Sequence, residues 1–237
     1  LILFLASLKL GAQPGFPDPS FGTAGLVIAS GEAIRVVETP DKKLLTSWMQ
    51  VGLSGQHSYI LNRFNEDGTI DQTFNSDGVA IPDVNPMDYF ELNDVDIQTT
   101  GRSLLAGVEE GLFGDFIVLG ISLFGELDPS FGSAGVARIP LDGYSFYGYT
   151  MVDEQDRILW TCVNYSIFGE ERWVVGRMLP NGVPDPDFGQ DGLVYLDGLF
   201  GNPAEVVSAT DGKIYLVSKY PSATPDNSDL GLVVVGL

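Results

Sequence analysis

Aspartates at a regular spacing are the residues of this chain whose type and position could do chemistry. They lie 53, 57 and 57 residues apart, each inside a copy of the same short motif. A carboxylate at such a position could transfer a proton, bind calcium, or accept nearby backbone N–H groups and hold a turn. The motif aspartates are Asp18, Asp71, Asp128 and Asp185.

One histidine, His57, and one cysteine, Cys162, limit the other chemistry that the chain could perform. A single histidine excludes histidine-rich metal sites and disfavours a Ser–His–Asp triad, and its surroundings predict a surface loop. The cysteine stands in the apolar string 159–163, which predicts a buried, inert thiol, and one cysteine excludes an intramolecular disulfide. No glycine-rich phosphate-binding motif is present. We therefore expect no catalytic, cofactor-binding or metal site built from these residues.

Calcium is the one metal for which the sequence offers a candidate. The segment 65–71 carries carboxylates and a glycine at spacings that calcium loops use. The equivalent segments 123–128 and 180–185 lose most of these oxygens. A turn held by the aspartate side chain explains every copy, whereas calcium explains one, so no cofactor is expected.

The repeat extends beyond the aspartate. A glycine lies three residues before each motif aspartate, a phenylalanine three residues after it, and a second glycine seven residues after it. Glycine at a fixed turn position predicts a backbone with positive φ, and the phenylalanine predicts an anchor in the core between neighbouring units. The structural repeat motif comprises Gly15, Asp18, Phe21, Gly25, Gly68, Asp71, Phe74, Gly78, Gly125, Asp128, Phe131, Gly135, Gly182, Asp185, Phe188 and Gly192.

Between the motifs the chain consists of short runs rich in Val, Ile, Leu, Tyr and Phe, which are typical of strands. Each unit holds four runs, the first directly after the second motif glycine. The second and third runs meet at a tight polar turn that predicts a hairpin. In this interpretation the motif leads from the outermost strand of one unit to the innermost strand of the next. The runs of the first two units begin with 25–30 and 78–81.

Four antiparallel strands repeated every ~40–60 residues indicate a β-propeller blade. The predicted fold is all-β: four four-stranded antiparallel blades in one propeller domain, residues 13–237, that forms an incomplete ring. A β-solenoid or a string of small sandwiches is the alternative fold. The predicted repeats span about 18–70, 71–127, 128–184 and 185–237.

The motif resembles the delta-60 repeat, a family found in large bacterial secreted and surface proteins. The resemblance rests on the pattern G-x-x-D-P-S-F-G-x-x-G-x-V followed by a D-G-K-I-like hairpin, and it covers residues 13–237. The second copy departs from it at Gln72 and Asn75, and the third has 155–157 in place of the D-G-K turn. The resemblance implies propeller-like architecture and export, and it brings no agreed catalytic residues.

Charge and chain ends bear on partners and address. With 12 basic against 32 acidic residues and a formal charge of −20, the chain lacks the basic face that a nucleic-acid partner requires. Residues 1–8 are an apolar run followed by small residues, so 1–12 is interpreted as the remnant of a secretory signal peptide, too short for a membrane span. The end at Leu237, within a strand, predicts that further blades of the same chain follow.

These observations predict a protein that is secreted, or displayed on the outer surface of a bacterium, and that is a non-enzymatic scaffold or adhesion-type binding module for an unknown protein or glycan ligand. The alternative is an extracellular propeller enzyme acting on polysaccharide, which a cluster of Asp, Glu and Tyr on one rim would favour. Loop aromatics are the ligand candidates that exposure suggests: Tyr144, Phe146 and Tyr147. The acidic pair Glu170-Glu171 is expected in a solvated loop.

Overall fold

The computed structural model describes residues 16–28, 32–51, 57–83, 90–109, 114–199, 203–209, 212–220 and 231–236. Within these ranges the chain is all-β, as predicted, with fifteen strands and no helix. No helix in the described part of the chain is therefore long and apolar enough to span a membrane. The signal-peptide interpretation of residues 1–12 and the motif residue Gly15 lie outside the described residues.

Within each of four antiparallel sheets, strands that are consecutive in the chain lie next to one another. The first sheet holds β1 (Glu32–Glu38), β2 (Leu44–Val51), β3 (His57–Phe64) and β4 (Val79–Ala80). The second holds β5 (Phe90–Ile97), β6 (Ser103–Glu109), β7 (Phe116–Ile121) and β8 (Val136–Ile139). The third holds β9 (Tyr144–Val152), β10 (Ile158–Tyr165), β11 (Glu171–Met178) and β12 (Leu193–Asp197). The fourth holds β13 (Pro203–Ser208), β14 (Ile214–Tyr220) and β15 (Gly231–Gly236), one strand fewer than expected within the described residues.

The central strands of the second and third sheets are apolar on both faces because each of these sheets is packed between two neighbours. All six residues of β7 are buried, as are seven of the eight residues of β10. A strand covered on both faces loses the alternation of apolar and polar residues that marks a half-exposed strand. This explains the continuous apolar runs in the middle of the second and third units.

Three apolar clusters lie between consecutive sheets, and each contains one motif phenylalanine. Phe74 lies between the first and second sheets, Phe131 between the second and third, and Phe188 between the third and fourth. In the middle cluster Phe116 and Trp160 stack with ring centroids 4.0 Å apart. The first strands of the sheets are also neighbours, since β1 contacts β5, β5 contacts β9, and β9 contacts β13.

The predicted course of the motif is wrong. The strand that follows each motif pairs with the strand that precedes it, as in Leu61 opposite Ala80, so the motif lies within a sheet, between its third and fourth strands. The chain crosses to the next sheet only after the fourth strand. The run at 25–30 was expected to be a strand, but its described part, 25–28, forms only isolated bridges of Leu26 with Gly22 and Thr23. A strand's composition shows that it pairs but does not identify its partner, and this explains the error.

Candidate functional site

The motif aspartates close turns, and three of them also pair with arginine or lysine side chains: Asp71, Asp128 and Asp185. In Asp71, Oδ1 accepts a hydrogen bond from the N–H of Thr73 at 3.1 Å and from its hydroxyl at 2.7 Å. Oδ2 accepts from Arg63 Nε at 2.6 Å and from Lys43 Nζ at 2.8 Å. Burial raises the pKa of Asp71, but the hydrogen bonds from Lys43, Thr73 and Arg63 outweigh it and hold that pKa well below its usual range.

The cation that meets the aspartate comes from different strands in different repeats. Arg177 Nε donates to Asp185 at 2.7 Å from the position that Arg63 occupies in the first sheet. The second sheet has Gly120 at that position, and there Arg102, from the β5–β6 hairpin, donates to Asp128 at 2.7 Å. We call the segment that carries one copy of the motif a connector. Each of these arginines also lies over the motif phenylalanine of its own connector. A charged pair of this kind fixes the turn in one geometry.

The phenylalanine and the first glycine of the motif are parts of one contact between consecutive connectors. Phe131 is fully buried, and a Cβ added to Gly182 would lie 2.7 Å from its ring. The same connectors are joined by Gly132 N–H, which donates to the carbonyl of Asn181 at 2.7 Å. Phe74 with Gly125 and Phe21 with Gly68 repeat this arrangement, although Phe21 is partly exposed. The seven described motif glycines have φ between 79° and 93°, so the predicted positive φ is confirmed and close approach is added to it.

Replacing Gly182 by alanine should therefore lower the free energy of unfolding by about 2–3 kcal/mol, because left-handed strain adds to a clash with Phe131. Gly169→Ala is the matched control, since Gly169 has the same φ of 81° but nothing within 4 Å of its added Cβ. The control should cost about 1 kcal/mol. Urea denaturation measures both, and equal losses would show that the phenylalanine contact does not constrain this glycine.

A different set of residues, outside the motif, lines a cavity between the first strands of the four sheets. The first strand of every sheet contains a β-bulge, and the residue just after the bulge is Arg35, Asp94, Tyr149 or Glu205. These four residues line one cavity of about 440 Å³. A bulge re-aims the side chains that follow it, and it is often found beside functional sites. The first strands of the four sheets therefore meet at a candidate ligand site, which we call the axial cavity.

An ion pair forms part of the lining of the axial cavity. Arg35 Nη1 donates to both carboxylate oxygens of Asp94, at 2.7 and 2.9 Å. Asp94 is almost completely buried, whereas the Arg35 side chain is 43% exposed. The hydrogen bonds that Arg35 donates to Asp94 raise the pKa of Arg35 most of all, and the negative charges of Asp94 and Glu205 also favour the charged guanidinium. Burial of Tyr149 raises the pKa of its phenol, so the cavity presents a cation, two carboxylates and a neutral hydroxyl.

Polar side chains of β5 also bond the backbone of β9, which closes the cavity wall. Burial raises the pKa of Asp94 and of Asp96, although backbone N–H groups oppose that shift in both. Unpaired N–H groups along a strand edge cost free energy when they are buried, and these side chains satisfy every second one. The donor–acceptor pairs are Gly148 to Asn93 at 2.9 Å, Thr150 to Asp94 at 2.9 Å and Val152 to Asp96 at 2.7 Å.

The other residues considered as candidates from the sequence do not form a common site in the described part of the chain. Cys162 is buried as predicted, and burial raises the pKa of its thiol to about 12, which suppresses the thiolate. His57 is the first residue of β3 rather than a loop residue, and its side chain lies outside the described part. In the calcium candidate, Asp67 bonds its own turn through Thr69. No group of three or more potential metal-ligating side chains converges among the described residues.

Sequence reasoning missed the axial cavity altogether. Its four post-bulge residues recur at spacings of 59, 55 and 56, close to the motif period, but their identities differ completely. A search for shared residues cannot find positions that vary. The available signal was weak: Arg35 and Asp94 occupy equivalent positions in strands that share only a glutamate and a valine, Glu32 with Glu91 and Val36 with Val95.

Comparison with known proteins adds no identification: a scan against family models found no match, and a search among curated proteins found no similar sequence. The delta-60 resemblance therefore remains a prediction that rests on the motif residues. Function is argued from the geometry of the site, because folds of this kind host many functions.

Proposed function

We propose that this chain is a secreted or cell-surface β-propeller of the delta-60 type that acts as a non-enzymatic binding module, with the axial cavity as its ligand site. The four sheets are its blades, and their first strands surround the cavity. The export-like N-terminus and the net charge of −20 support an extracellular address, since strong like charge keeps such proteins apart in solution.

The observation that carries this proposal is the contrast between the connector and the axial cavity. At the connector the repeats share Asp, Phe and Gly: the aspartates accept hydrogen bonds from arginines, and Phe74 and Phe131 lie against the first glycine of the next connector. At the post-bulge position the repeats differ, with Arg35, Asp94, Tyr149 and Glu205 facing one cavity. Shared residues build the fold, whereas different polar groups around a common axis suit an asymmetric ligand. A protein segment or glycan end with hydroxyl or amide groups fits this lining.

A polysaccharide-acting enzyme is the second candidate, because Asp94, Glu205 and Tyr149 form the cluster of acidic and phenolic groups that such an enzyme would need. Asp94 is unsuited to proton transfer, since its oxygens already accept hydrogen bonds from Arg35, Val95 and Thr150. A glycosidase needs two carboxyl groups that reach the substrate, one of them able to hold a proton. Of the two carboxyl groups in the cavity, only that of Glu205 is exposed, which favours binding over hydrolysis.

The test is ligand-observed NMR on the full 237-residue chain with a panel of monosaccharides and N-acetylated amino acid amides. A probe that binds in the cavity should lose about tenfold in affinity in Glu205→Gln, because hydrogen bonds to charged groups are worth about that factor. Glu154→Gln is the matched control, an exposed glutamate outside the cavity lining.

Two results would contradict the proposal. Saturable binding that is unchanged in Glu205→Gln would place the ligand elsewhere. Cleavage of polysaccharide by the wild-type chain, abolished in Asp94→Asn, would support the enzyme instead.

A further inference from the structure

Four exposed aromatic side chains surround a second cavity, on the third sheet and separate from the axial cavity. It has a volume of about 560 Å³, and its lining is formed by Tyr144, Phe146, Tyr147, Val163 and Tyr165. The sequence predicted the first three as loop residues, but all three belong to β9. The four rings are between 36% and 45% exposed, far more than aromatic side chains of a core. We call this cavity the aromatic cavity.

The register of β9 against β10 explains how the rings come together. Tyr144 lies opposite Tyr165, and Phe146 lies opposite Val163. A bulge then sets Tyr147 and Gly148 opposite the single residue Cys162. Tyr147 has a φ of 55°, a left-handed conformation that is uncommon for an aromatic residue. This strained backbone brings Tyr147 beside Phe146, although consecutive residues of a regular strand point to opposite faces.

The planes of the rings are inclined to one another rather than coplanar. Phe146 and Tyr165 are nearly perpendicular, with an interplanar angle of 80° and centroids 6.0 Å apart. Phe146 and Tyr147 are inclined at 45°, with centroids 6.4 Å apart. Val163 supplies an apolar contact between the walls. Rings at such angles can present several electron-rich surfaces to one compact group.

Negative charge adjoins the aromatic cavity. Tyr165 Oη donates a hydrogen bond to Glu171 Oε2 at 2.8 Å, and burial followed by this bond raises the pKa of the phenol. Tyr165 also lines a neighbouring cavity together with Glu170, Glu171 and Asp197. A guest that binds against these rings therefore has carboxylates nearby, around Tyr165.

We propose that the aromatic cavity binds methylated ammonium groups, as found in choline head groups or methylated lysine side chains. Aromatic faces attract a cation through the ring quadrupole, and a methylated ammonium gives up its water more easily than a primary one. The apolar Val163 suits the methyl groups, and the carboxylates beyond Tyr165 suit the charge. A neutral sugar would stack best on coplanar rings, which this arrangement does not provide.

The test compares choline with 3,3-dimethylbutan-1-ol, which has the same shape but no charge, by calorimetric titration of the full chain. Choline should bind saturably and about tenfold more tightly than the alcohol, because only the cation is attracted by the ring faces. Phe146→Leu keeps an apolar side chain but removes one ring, and it should weaken choline binding about fivefold without changing the affinity for the alcohol. Phe168→Ala is the control, an exposed phenylalanine that is not part of the cavity lining.

Each contrary result overturns the proposal. Equal affinity for choline and the alcohol would show a merely apolar cavity, and absence of saturable choline binding would show no ammonium site. Choline affinity that survives Phe146→Leu would place its binding outside these rings. Binding of cellohexaose in place of choline, weakened by Phe146→Leu, would assign the cavity to sugars instead.

Discussion

Replacing Phe131 by alanine should lower the free energy of unfolding by about 3–5 kcal/mol, as removal of a buried aromatic side chain does. Phe131 has no exposed surface, packs between the second and third sheets, and lies against Gly120 and Gly182. The cavity left behind would be bordered by backbone from two connectors, which cannot collapse into it easily. Chemical denaturation of the full chain, followed by tyrosine and tryptophan fluorescence, measures the loss.

Phe124→Ala is the matched control for this experiment. Phe124 lies seven residues before Phe131, between β7 and β8, but it is 68% exposed. Its removal should change stability by less than about 0.5 kcal/mol, as is usual for surface positions. If Phe131→Ala cost less than about 1 kcal/mol, the motif phenylalanine would not be a core anchor.

Replacing Asp71 by asparagine should cost about 3 kcal/mol at pH 7, since it leaves the buried guanidinium of Arg63 beside an amide that also donates. Arg63 and Asp71 are both nearly inaccessible to solvent, and Lys43 adds a second cation. Asp18→Asn is the matched control at the equivalent motif position. Asp18 is only partly buried, accepts hydrogen bonds from Ser20, and makes no ion pair among the described residues.

The same substitution predicts a dependence on pH. The pKa of Asp71 is lower in the folded protein than in the unfolded chain, so folding disfavours its protonation. Its contribution to stability should be complete above the unfolded value of about 4 and should decline as the pH falls below it. The difference in unfolding free energy between wild type and Asp71→Asn should therefore shrink below about pH 4. A difference that stays constant down to pH 2 would show that the ion pair does not stabilise this connector.

The features that local geometry controls could be read from the sequence. Short apolar runs between turn residues predicted an all-β chain, and recurring glycines such as Gly125 predicted positive φ, because both depend only on a residue and its neighbours. Burial was predicted for all four motif phenylalanines, since a large apolar side chain in a polar connector has few other places to go; it is confirmed for Phe74, Phe131 and Phe188, whereas Phe21 is partly exposed. The motif thus indicated which residues build the repeat.

Only the tertiary structure decided which strands share a sheet and which side chains meet. Strand sequences encode the tendency to pair but not the partner, so the motif was assigned between sheets when it lies within them. The second sheet has Gly120 where the other sheets have Arg63 or Arg177, and Arg102 takes over the bond to the motif aspartate there. The sequence does not show this replacement, because Arg102 meets Asp128 only in the folded chain. The axial and aromatic cavities depend on bulges, which shift a strand by one residue and change the direction of the side chains that follow. A bulge forms through pairing with another strand, and for this reason the candidate binding sites emerged only from the folded chain.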